Sequence, residues 1–293
     1  MPENPEAGVQ PDHPDHQVGS RDKAVPWYQD DIQNMPENTR ELLERYSGIP
    51  SDQIVPHVLK VREQAWQTFP YPCIGQFRFL DLSIGLHPLY PEVLQRMKSG
   101  SQIYLDLGCC FGQDIRRLVS DGAPSKNCYG SDLRLDFMSL GYNLFLDKDK
   151  LESKFIQGDV FDPDSELKTL DGNVDIIHAA SFFHLFGLEE QKQVARRIVK
   201  LLKPRQGSLV LGRQVGNVQG GEFLHRTNPN RMMFRHDKET WKRMWDEVGE
   251  ETGSRWDVHV DLLDWPGFVE QRPGNEWQQD GARRLQFAVR RTE

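Results

Sequence analysis

The sequence predicts an α/β fold: a doubly wound, mostly parallel sheet of seven strands, preceded by an N-terminal helical cover. From residue 101 onward, apolar strands alternate with glycine turns and helices, which is typical of parallel sheets with right-handed crossovers. Several of these strands are continuous apolar runs, as expected for strands that are buried on both faces. The candidate strands are QIYLDL, NCYGSDL, KFIQGDV, VDIIHAA, SLVLGRQV, WDVHVDLLDW and LQFAVRR.

The composition is typical of a globular protein that does not span a membrane. Of the 293 residues, 37% are hydrophobic and 27% are charged, and no apolar run approaches the ~18 residues that a membrane helix needs. A net charge of -8 offers no basic surface to a polyanion, so we expect no nucleic-acid partner. The N-terminus lacks a secretory or transit pattern and predicts a cytoplasmic protein. The four cysteines lack CxxC spacing, so we expect neither a disulfide framework nor a bound metal.

Three segments are expected along the chain. Residues 1–25 are rich in Pro, Asp, His and Gly and predict a disordered tail. Residues 26–100 contain helical stretches and predict a cover or lid, with Ser51 as the cap of the second helix. Residues 101–293 form the sheet domain, in which ligands bind at the carboxyl ends of the strands. The sequence leaves open whether the cover closes its own site or exchanges between the subunits of a homodimer.

The turn after the first strand, YLDLGCCFG at 104–112, is the main functional motif. It is not a P-loop, because the second glycine is not followed by Lys and then Ser or Thr. It fits a dinucleotide fingerprint poorly, because Cys110 stands where the middle glycine belongs. What remains is Asp-x-Gly-x-x-x-Gly before a helix. This pattern resembles the D/E-x-G-x-G-x-G turn of class I S-adenosylmethionine-dependent methyltransferases, with the central glycine replaced.

This resemblance implies a Rossmann-like fold and S-adenosylmethionine as the cofactor. The cofactor carries a sulfonium and an ammonium, which favour an acidic residue where a pyrophosphate would need bare amides. Asp106 then faces the ammonium and Gly108 admits the nucleoside, whereas the alternative for Asp106 is a helix cap. Asp132, 24 residues after Gly108, is expected to take the ribose hydroxyls, and Asp159 the adenine amino group. The other predicted cofactor contacts are Gly112, Ser131, Leu133, Val160 and Ala179.

The residues that follow the fourth and fifth strands are the candidates for catalysis and substrate binding. No [ND]PP[YFW] motif is present, which disfavours amide and base nitrogens as acceptors. His184 is the candidate base or orienting group, although a lone histidine on such a helix is more often a packing residue. Tyr71, Arg213 and Arg235 are the candidate substrate contacts. For each arginine the alternative is a solvated surface position.

Four segments narrow the resemblance to a group of fungal methyltransferases from meroterpenoid and polyketide pathways. They are PYPCIGQFRFLDL, YLDLGCCFGQDIRRL, YGSDLRLDFMSLGYNLF and DIIHAASFFHLF, and the double cysteine is the most specific feature. Members of this group methylate oxygen, often on the carboxyl group of a farnesylated aromatic acid. The resemblance therefore implies methyl transfer to the carboxylate of a small hydrophobic intermediate, by positioning rather than by strong base catalysis.

Three alternatives to carboxylate methylation remain open at this point. The acceptor could be a phenol with a pKa near ~10, for which His184 would act as the base. The missing central glycine of the motif also allows an inactive, methyltransferase-like scaffold protein. A nicotinamide-dependent oxidoreductase is the third alternative, and binding of cofactors to the purified protein distinguishes it from the other two.

Overall fold

The strands and helices lie where the alternating pattern of the sequence places them. The computed structural model describes residues 21–25, 27–224, 231–264 and 281–293. Its strands are β1 (Tyr104–Leu107), β2 (Cys128–Asp132), β3 (Lys154–Gln157), β4 (Ile176–His178), β5 (Leu209–Asn217), β6 (Gly221–Leu224), β7 (Met232–Arg235), β8 (Trp256–Leu263) and β9 (Ala282–Arg291). Its α-helices are α1 (Glu37–Glu41), α2 (Ile54–Thr68), α3 (Pro72–Gly75), α4 (Tyr90–Lys98), α5 (Gln113–Ser120), α6 (Leu135–Phe145), α7 (Leu188–Leu201) and α8 (Lys238–Thr252).

The seven predicted strands form one sheet, in the order β3-β2-β1-β4-β5-β9-β8. The strands from β3 to β5 are parallel, and β9 runs antiparallel between β5 and β8. The predicted doubly wound, mostly parallel fold is therefore confirmed. The chain order reverses between β1 and β4, and ligands in such sheets bind beside this switch point.

Helices cover both faces of the sheet, and successive strand residues point to opposite faces. On one face α7 and α8 pack against Leu105, Ile177 and Val210. On the other face α4 and α5 pack against Tyr104 and Ile176. The even-numbered residues of β1 and β4 therefore point towards α4 and α5. No helix in the described part of the chain is long and apolar enough to cross a membrane.

The N-terminal segment packs against the sheet domain and shares a core with it. Trp66 of α2 lies in one apolar cluster with Phe111, from the turn between β1 and α5 (the cofactor turn, 108–112), and with Phe137 and Phe145 of α6. This packing starts earlier than predicted, because the side chain of Arg21 donates to the Gln67 carbonyl at 2.8 and 2.9 Å. The predicted disorder of residues 1–20 lies outside the described residues.

Ser51 does not cap the second helix, contrary to the prediction. It lies in a short 3-10 helix, Ser51–Gln53, and α2 begins one residue later without a side-chain cap. The hydroxyl of Ser51 instead donates to Glu44 Oε1 at 2.7 Å. The Ser51 hydroxyl therefore bonds to a side chain seven residues earlier instead of capping α2. The sequence pattern alone does not show which of the two interactions forms.

A buried ion pair within the sheet domain accepts a hydrogen bond from the cover. Arg116 of α5 makes two hydrogen bonds to Asp147, from Nε at 2.8 Å and from Nη2 at 2.9 Å, and both side chains are fully buried. The hydroxyl of Tyr46, from the cover, donates to the same carboxylate at 2.8 Å. This network fixes the cover to the helix that begins at the cofactor turn.

The arginine-rich segment after Gly216 contains a hairpin that the sequence analysis missed. Strands β6 and β7 pair antiparallel, with Gly221 opposite Arg235 and Leu224 opposite Met232. Residues 225–230, between the two strands, lie outside the described part of the chain. Each strand has only four residues, so alternation over so short a run gives little signal.

Candidate functional site

The turn between β1 and α5 has three residues in the left-handed region. Gly108, Cys110 and Gly112 have φ values of 76°, 53° and 66°. The amides of Gly108 and Cys109 donate to the Ser131 carbonyl at 2.8 and 3.0 Å, so the turn is bonded to the end of β2. Cys110 therefore keeps the backbone conformation of the motif glycine, at a cost of about 1–2 kcal/mol for a residue with a Cβ.

The three predicted acidic residues lie at the carboxyl ends of three adjacent strands. Asp106 is buried, and its Oδ1 accepts from His178 Nδ1 at 3.0 Å. It does not cap α5, which begins at Gln113 after Gly112 and has no side-chain cap. Asp132 accepts the amide of Cys110 at 2.9 Å, and burial raises the pKa of its carboxyl group.

Asp159 is exposed at the end of β3. Its Oδ1 accepts the amide of Phe161 at 2.9 Å, which shapes the turn that follows the strand. Leu133 and Phe161 expose 57% and 37% of their surface near the ends of β2 and β3. The predicted adenine contact of Asp159 stays a prediction. Val160 lies between Asp159 and Phe161 and is buried.

The residues around Gly108 fit the amino-acid end of S-adenosylmethionine. Asp106 Oδ2 is a buried acceptor that no described residue satisfies, and a positively charged donor suits such an atom. An ideal Cβ on Gly108 would lie 2.7 Å from a ring carbon of Phe182, so only glycine admits this close approach. At Gly112 the corresponding Cβ would lie 2.6 Å from the ring of Phe155.

Ser131 and Ala179 are both buried, and the predicted cofactor contact of Ser131 stays a prediction. Ser131 is buried under the turn, and its hydroxyl has no partner among the described residues. Ala179 is fully buried in the cluster beneath α7 and α8, and its amide donates to the Leu211 carbonyl at 2.9 Å. Its side chain belongs to the core on the face opposite Asp106, so the predicted cofactor contact is wrong for this side chain.

Arg213 is engaged within the protein and is not a free donor for substrate. Its Nη1 donates to Ser181 Oγ at 2.8 Å, and its Nη2 lies 3.6 Å from Asp81 Oδ2. Ser181 has a φ of 55°, so the arginine holds a strained turn after β4. The prediction of a substrate contact at this residue is corrected to a structural role.

Tyr71 lies beside the turn after β2. Its hydroxyl accepts from Arg134 Nε at 3.3 Å, and the guanidinium carbon of Arg134 lies 4.0 Å from the ring centre of Phe69. Burial raises the pKa of Tyr71. The cover therefore contacts the sheet domain two residues after Asp132, on the side of the predicted ribose contact.

His184 and Arg235 lie on neighbouring elements. His184 is half-buried on the 3-10 helix Phe183–Leu185, two residues after Phe182, which packs on Gly108. Strand β7 is bonded to the end of that helix, because the Phe234 amide donates to the Phe186 carbonyl at 2.9 Å. Arg235 is only 1% exposed, and burial lowers its pKa to about 10.

The sequence analysis missed the buried partners of Asp106. His178 lies opposite Asp106 in the register of β1 and β4, and Ser83 and Asp114 continue a chain of hydrogen bonds from it. The available signal was a histidine inside the otherwise apolar strand VDIIHAA. Among the described residues, Asp106, Asp114 and His178 also place three potential metal-ligand atoms within 4.8 Å of one another. Hydrogen bonds already connect these groups.

Comparison with known proteins gives matches over most of the chain. Residues 27–80 match the meroterpenoid methyltransferase N-terminal domain, and residues 105–205 match a methyltransferase domain. The O-methyltransferase atr3 of Stereocaulon alpinum is 47% identical over 270 residues, which cover 92% of this chain and 77% of that protein. The O-methyltransferase phiE of a fungal species is 38% identical, over 94% of this chain and 98% of that protein. The Asnovolin E/Chermesin D methyltransferase nvfJ of Aspergillus novofumigatus is 42% identical, over 78% and 81%.

Solved structures give more distant matches. An S-adenosylmethionine-dependent methyltransferase from Mesorhizobium loti is 16% identical with a TM-score of 0.47, and the match covers 71% of this chain and 100% of that one. The DhpI complex with S-adenosylhomocysteine is 15% identical with a TM-score of 0.43, over 83% and 98%. On the strength of the two domain matches and the relatives, this chain belongs to a family of fungal S-adenosylmethionine-dependent O-methyltransferases that share the meroterpenoid methyltransferase N-terminal domain.

Proposed function

We propose that this enzyme methylates the carboxylate of a small hydrophobic acid, and that Arg235 binds this carboxylate. The proposal rests on Arg235, which is buried and whose guanidinium atoms Nε and Nη1 have no hydrogen-bond partner among the described residues. A buried cation without a counter-charge is costly, and a substrate carboxylate would supply two charge-assisted hydrogen bonds to it.

The surroundings of Arg235 support an amphipathic substrate. The guanidinium carbon lies 4.9 Å from the ring centre of Phe223, on the paired strand of the hairpin. Leu224, Met232 and Leu185 expose 58%, 39% and 44% of their surface on this hairpin and on the 3-10 helix that contacts it. A buried cation beside exposed apolar side chains suits a carboxylate on a prenylated aromatic body.

The backbone supports a position close to the cofactor. Gln191 Nε2 donates to the carbonyls of Phe186 and Phe234 at 2.9 and 2.8 Å and clamps β7 onto the segment that follows the 3-10 helix. The same segment begins with Phe182, whose ring lies against Gly108. The turn at Gly108 therefore contacts the segment 182–186, and this segment is hydrogen-bonded to β7, which ends at Arg235.

The reaction requires alignment more than proton transfer. Bound S-adenosylmethionine supplies a methyl group activated for in-line displacement. A carboxylate with an ordinary pKa near ~4 is ionised at neutral pH, so no base is needed to expose its oxygen. In this scheme Arg235 orients the carboxylate and Phe182 helps to exclude water. Two relatives, atr3 and phiE, are named as O-methyltransferases, which supports oxygen as the acceptor atom.

The test compares Arg235→Gln with Arg231→Gln, using aromatic acids and phenols as acceptors. Arg231 is a matched control because it lies in the same hairpin but is exposed and paired with Glu190. We expect Arg235→Gln to lower kcat/KM for the acid by on the order of 10- to 100-fold, with little change for Arg231→Gln. Binding of S-adenosylhomocysteine should be unchanged in both variants.

A second pair of measurements separates a carboxylate from a phenol acceptor. Alkali should release the transferred methyl as methanol from an ester, whereas an aryl ether would retain it. His184→Ala should keep most of its activity with an acid. An alkali-stable product, together with a loss of 10² or more in His184→Ala and none in Arg235→Gln, would establish the phenol alternative instead.

A further inference from the structure

A chain of four buried side chains extends from the cofactor site into the protein. His178 Nδ1 lies 3.0 Å from Asp106 Oδ1, His178 Nε2 lies 3.4 Å from Ser83 Oγ, and Ser83 Oγ donates to Asp114 Oδ2 at 3.0 Å. All four side chains are at least nine-tenths buried. The chain lies between the sheet and helices α4 and α5, on the face to which Asp106 points.

The directions of these hydrogen bonds define the protonation state of His178. The single proton of the Ser83 hydroxyl goes to Asp114, so Ser83 can only accept from His178. Asp106, when ionised, also only accepts. With Asp106 and Asp114 both ionised, both ring nitrogens of His178 donate and the ring is an imidazolium.

The electrostatic environment agrees with this assignment. Burial alone lowers the pKa of His178, but the hydrogen bond to Asp106 and the negative charges of Asp106 and Asp114 outweigh it, so the pKa lies above its usual value. Arg213, the nearby cation on β5, opposes this shift. Tyr104 stacks on the histidine with ring centres 6.4 Å apart. Without a cation between them, two buried carboxylates this close would not both remain ionised.

We propose that His178 is a positioning residue for the cofactor: it holds the Asp106 carboxylate so that its free oxygen, Oδ2, receives the α-ammonium of S-adenosylmethionine. Oδ2 is buried and has no partner among the described residues. The imidazolium donates a hydrogen bond to Oδ1, which fixes the rotation of the carboxylate and leaves Oδ2 for the ligand. The inference rests on the proposed place of the ammonium at Asp106 and does not depend on which acceptor is methylated.

The same chain connects cofactor binding to the N-terminal cover. Asp114 accepts the Ile84 amide at 2.9 Å as well as the Ser83 hydroxyl, and both donors come from the segment before α4. Asp114 is the second residue of α5, the helix that begins at the cofactor turn. Ser83 is therefore expected to influence the ammonium end of the cofactor, although it lies in the cover.

The experiment measures affinity by calorimetry for two ligands that differ only at the end in question. S-adenosylhomocysteine carries the ammonium, and 5′-methylthioadenosine lacks the whole amino-acid end. In His178→Leu we expect S-adenosylhomocysteine to bind more weakly by on the order of 10-fold or more, and 5′-methylthioadenosine to bind within about 2-fold of wild type. His178→Asn keeps one donor near Asp106 and should recover part of the loss.

His87→Asn is the matched control. His87 is a buried histidine, bonded to the Phe287 carbonyl at 3.0 Å, that takes no part in the hydrogen-bonded chain. This variant should bind both ligands like wild type. Ser83→Ala is a smaller change outside the sheet, so it tests the hydrogen-bonded chain even if a variant of His178 in β4 fails to fold. It should weaken the binding of S-adenosylhomocysteine, but not of 5′-methylthioadenosine, by about 3-fold.

Several outcomes would overturn the role of His178. Equal weakening of both ligands in His178→Leu would show a purely structural role. Unchanged S-adenosylhomocysteine affinity in Ser83→Ala and His178→Leu would remove the positioning role altogether. A loss of wild-type affinity on adding EDTA would show that the cluster binds a metal instead. Failure of the carboxylate assay would leave these binding measurements unaffected, so the two proposals can fail separately.

Discussion

Replacing Cys110 with glycine and with alanine tests whether the cofactor turn stores backbone strain. Cys110 has a φ of 53°, in the region that favours glycine. A residue with a Cβ pays about 1–2 kcal/mol there, while the greater chain entropy of glycine costs about 0.5–1 kcal/mol on folding. Both variants lose the same thiol, so the loss of its packing cancels in the comparison. We therefore expect Cys110→Gly to be more stable than Cys110→Ala by about 0.5–1 kcal/mol.

Cys109 provides a matched control one residue earlier. It is buried and does not have a positive φ, so the order there should be reversed, with alanine more stable than glycine by about 0.5–1 kcal/mol. The free energy of unfolding is measured by urea denaturation for all four variants. Alanine being the more stable residue at both positions would refute the strained turn.

The same variants test the contribution of the thiol to cofactor binding. The hydrogen bond from this residue to Asp132 comes from the backbone amide, so glycine retains it. We expect the Kd for S-adenosylhomocysteine in Cys110→Gly to stay within about 2-fold of wild type. A loss of 10-fold or more would show that the side chain itself, and not only the backbone, forms the site.

Three further predictions concern stability. Asp147→Asn should lower the free energy of unfolding by about 3–5 kcal/mol, measured in urea, because it leaves the buried charge of Arg116 uncompensated. Leu146→Gly should raise that free energy by about 1 kcal/mol, because Leu146 ends α6 with a φ of 51° and is half exposed. Burial lowers the pKa of His87 to about 4 and of His236 to about 3. As the pH falls below 6.5, the two histidines are therefore protonated in the unfolded chain but not in the folded one. Each histidine should then lower the free energy of unfolding by about 1.4 kcal/mol per pH unit. Acid unfolding of His236→Phe should show roughly half of that combined slope, and an unchanged slope would contradict the assignment.

The sheet and the strand-end carboxylates were predictable because their signals are local. Each strand is a short apolar run, and each of Asp106, Asp132 and Asp159 follows or ends such a run. Parallel strands bring their carboxyl ends to one edge of the sheet, so a chain position translates directly into a place in the site. The hairpin of β6 and β7 gave no comparable signal, because its strands are too short for alternation to be distinctive.

The roles of individual side chains were less predictable, because they depend on partners that are distant in sequence. Nothing in the sequence pattern distinguishes Arg213 from Arg235 as a substrate contact, yet among the described residues only Arg213 of the two has a carboxylate within 4 Å, from Asp81 in the cover. His178 reaches Asp106 only through the register of β1 and β4. Sequence spacing does not define strand order or register, so these partners become visible only in the folded chain.

Arg235 and Asp106 carry opposite charges, and each has buried atoms without a hydrogen-bond partner among the described residues, namely Oδ2 of Asp106 and Nε and Nη1 of Arg235. One suits a carboxylate and the other an ammonium, which are the groups that the proposed substrate and the cofactor carry. For Arg235 burial lowers the pKa to about 10, well below its usual value, and each pKa unit of such a shift corresponds to about 1.4 kcal/mol. A neutral side chain of similar length should therefore stabilise the free enzyme while it weakens substrate binding.

Arg235→Met tests this cost, with Arg116→Met as its contrast. We expect Arg235→Met to unfold at higher urea concentration than wild type, with a gain of about 1–3 kcal/mol. Arg116→Met removes an equally buried arginine but leaves Asp147 without its counter-charge, so the free energy of unfolding should fall by about 3–5 kcal/mol. If Arg235→Met is destabilised as much as Arg116→Met, the protein itself supplies a counter-charge for Arg235, and the argument for a substrate carboxylate fails.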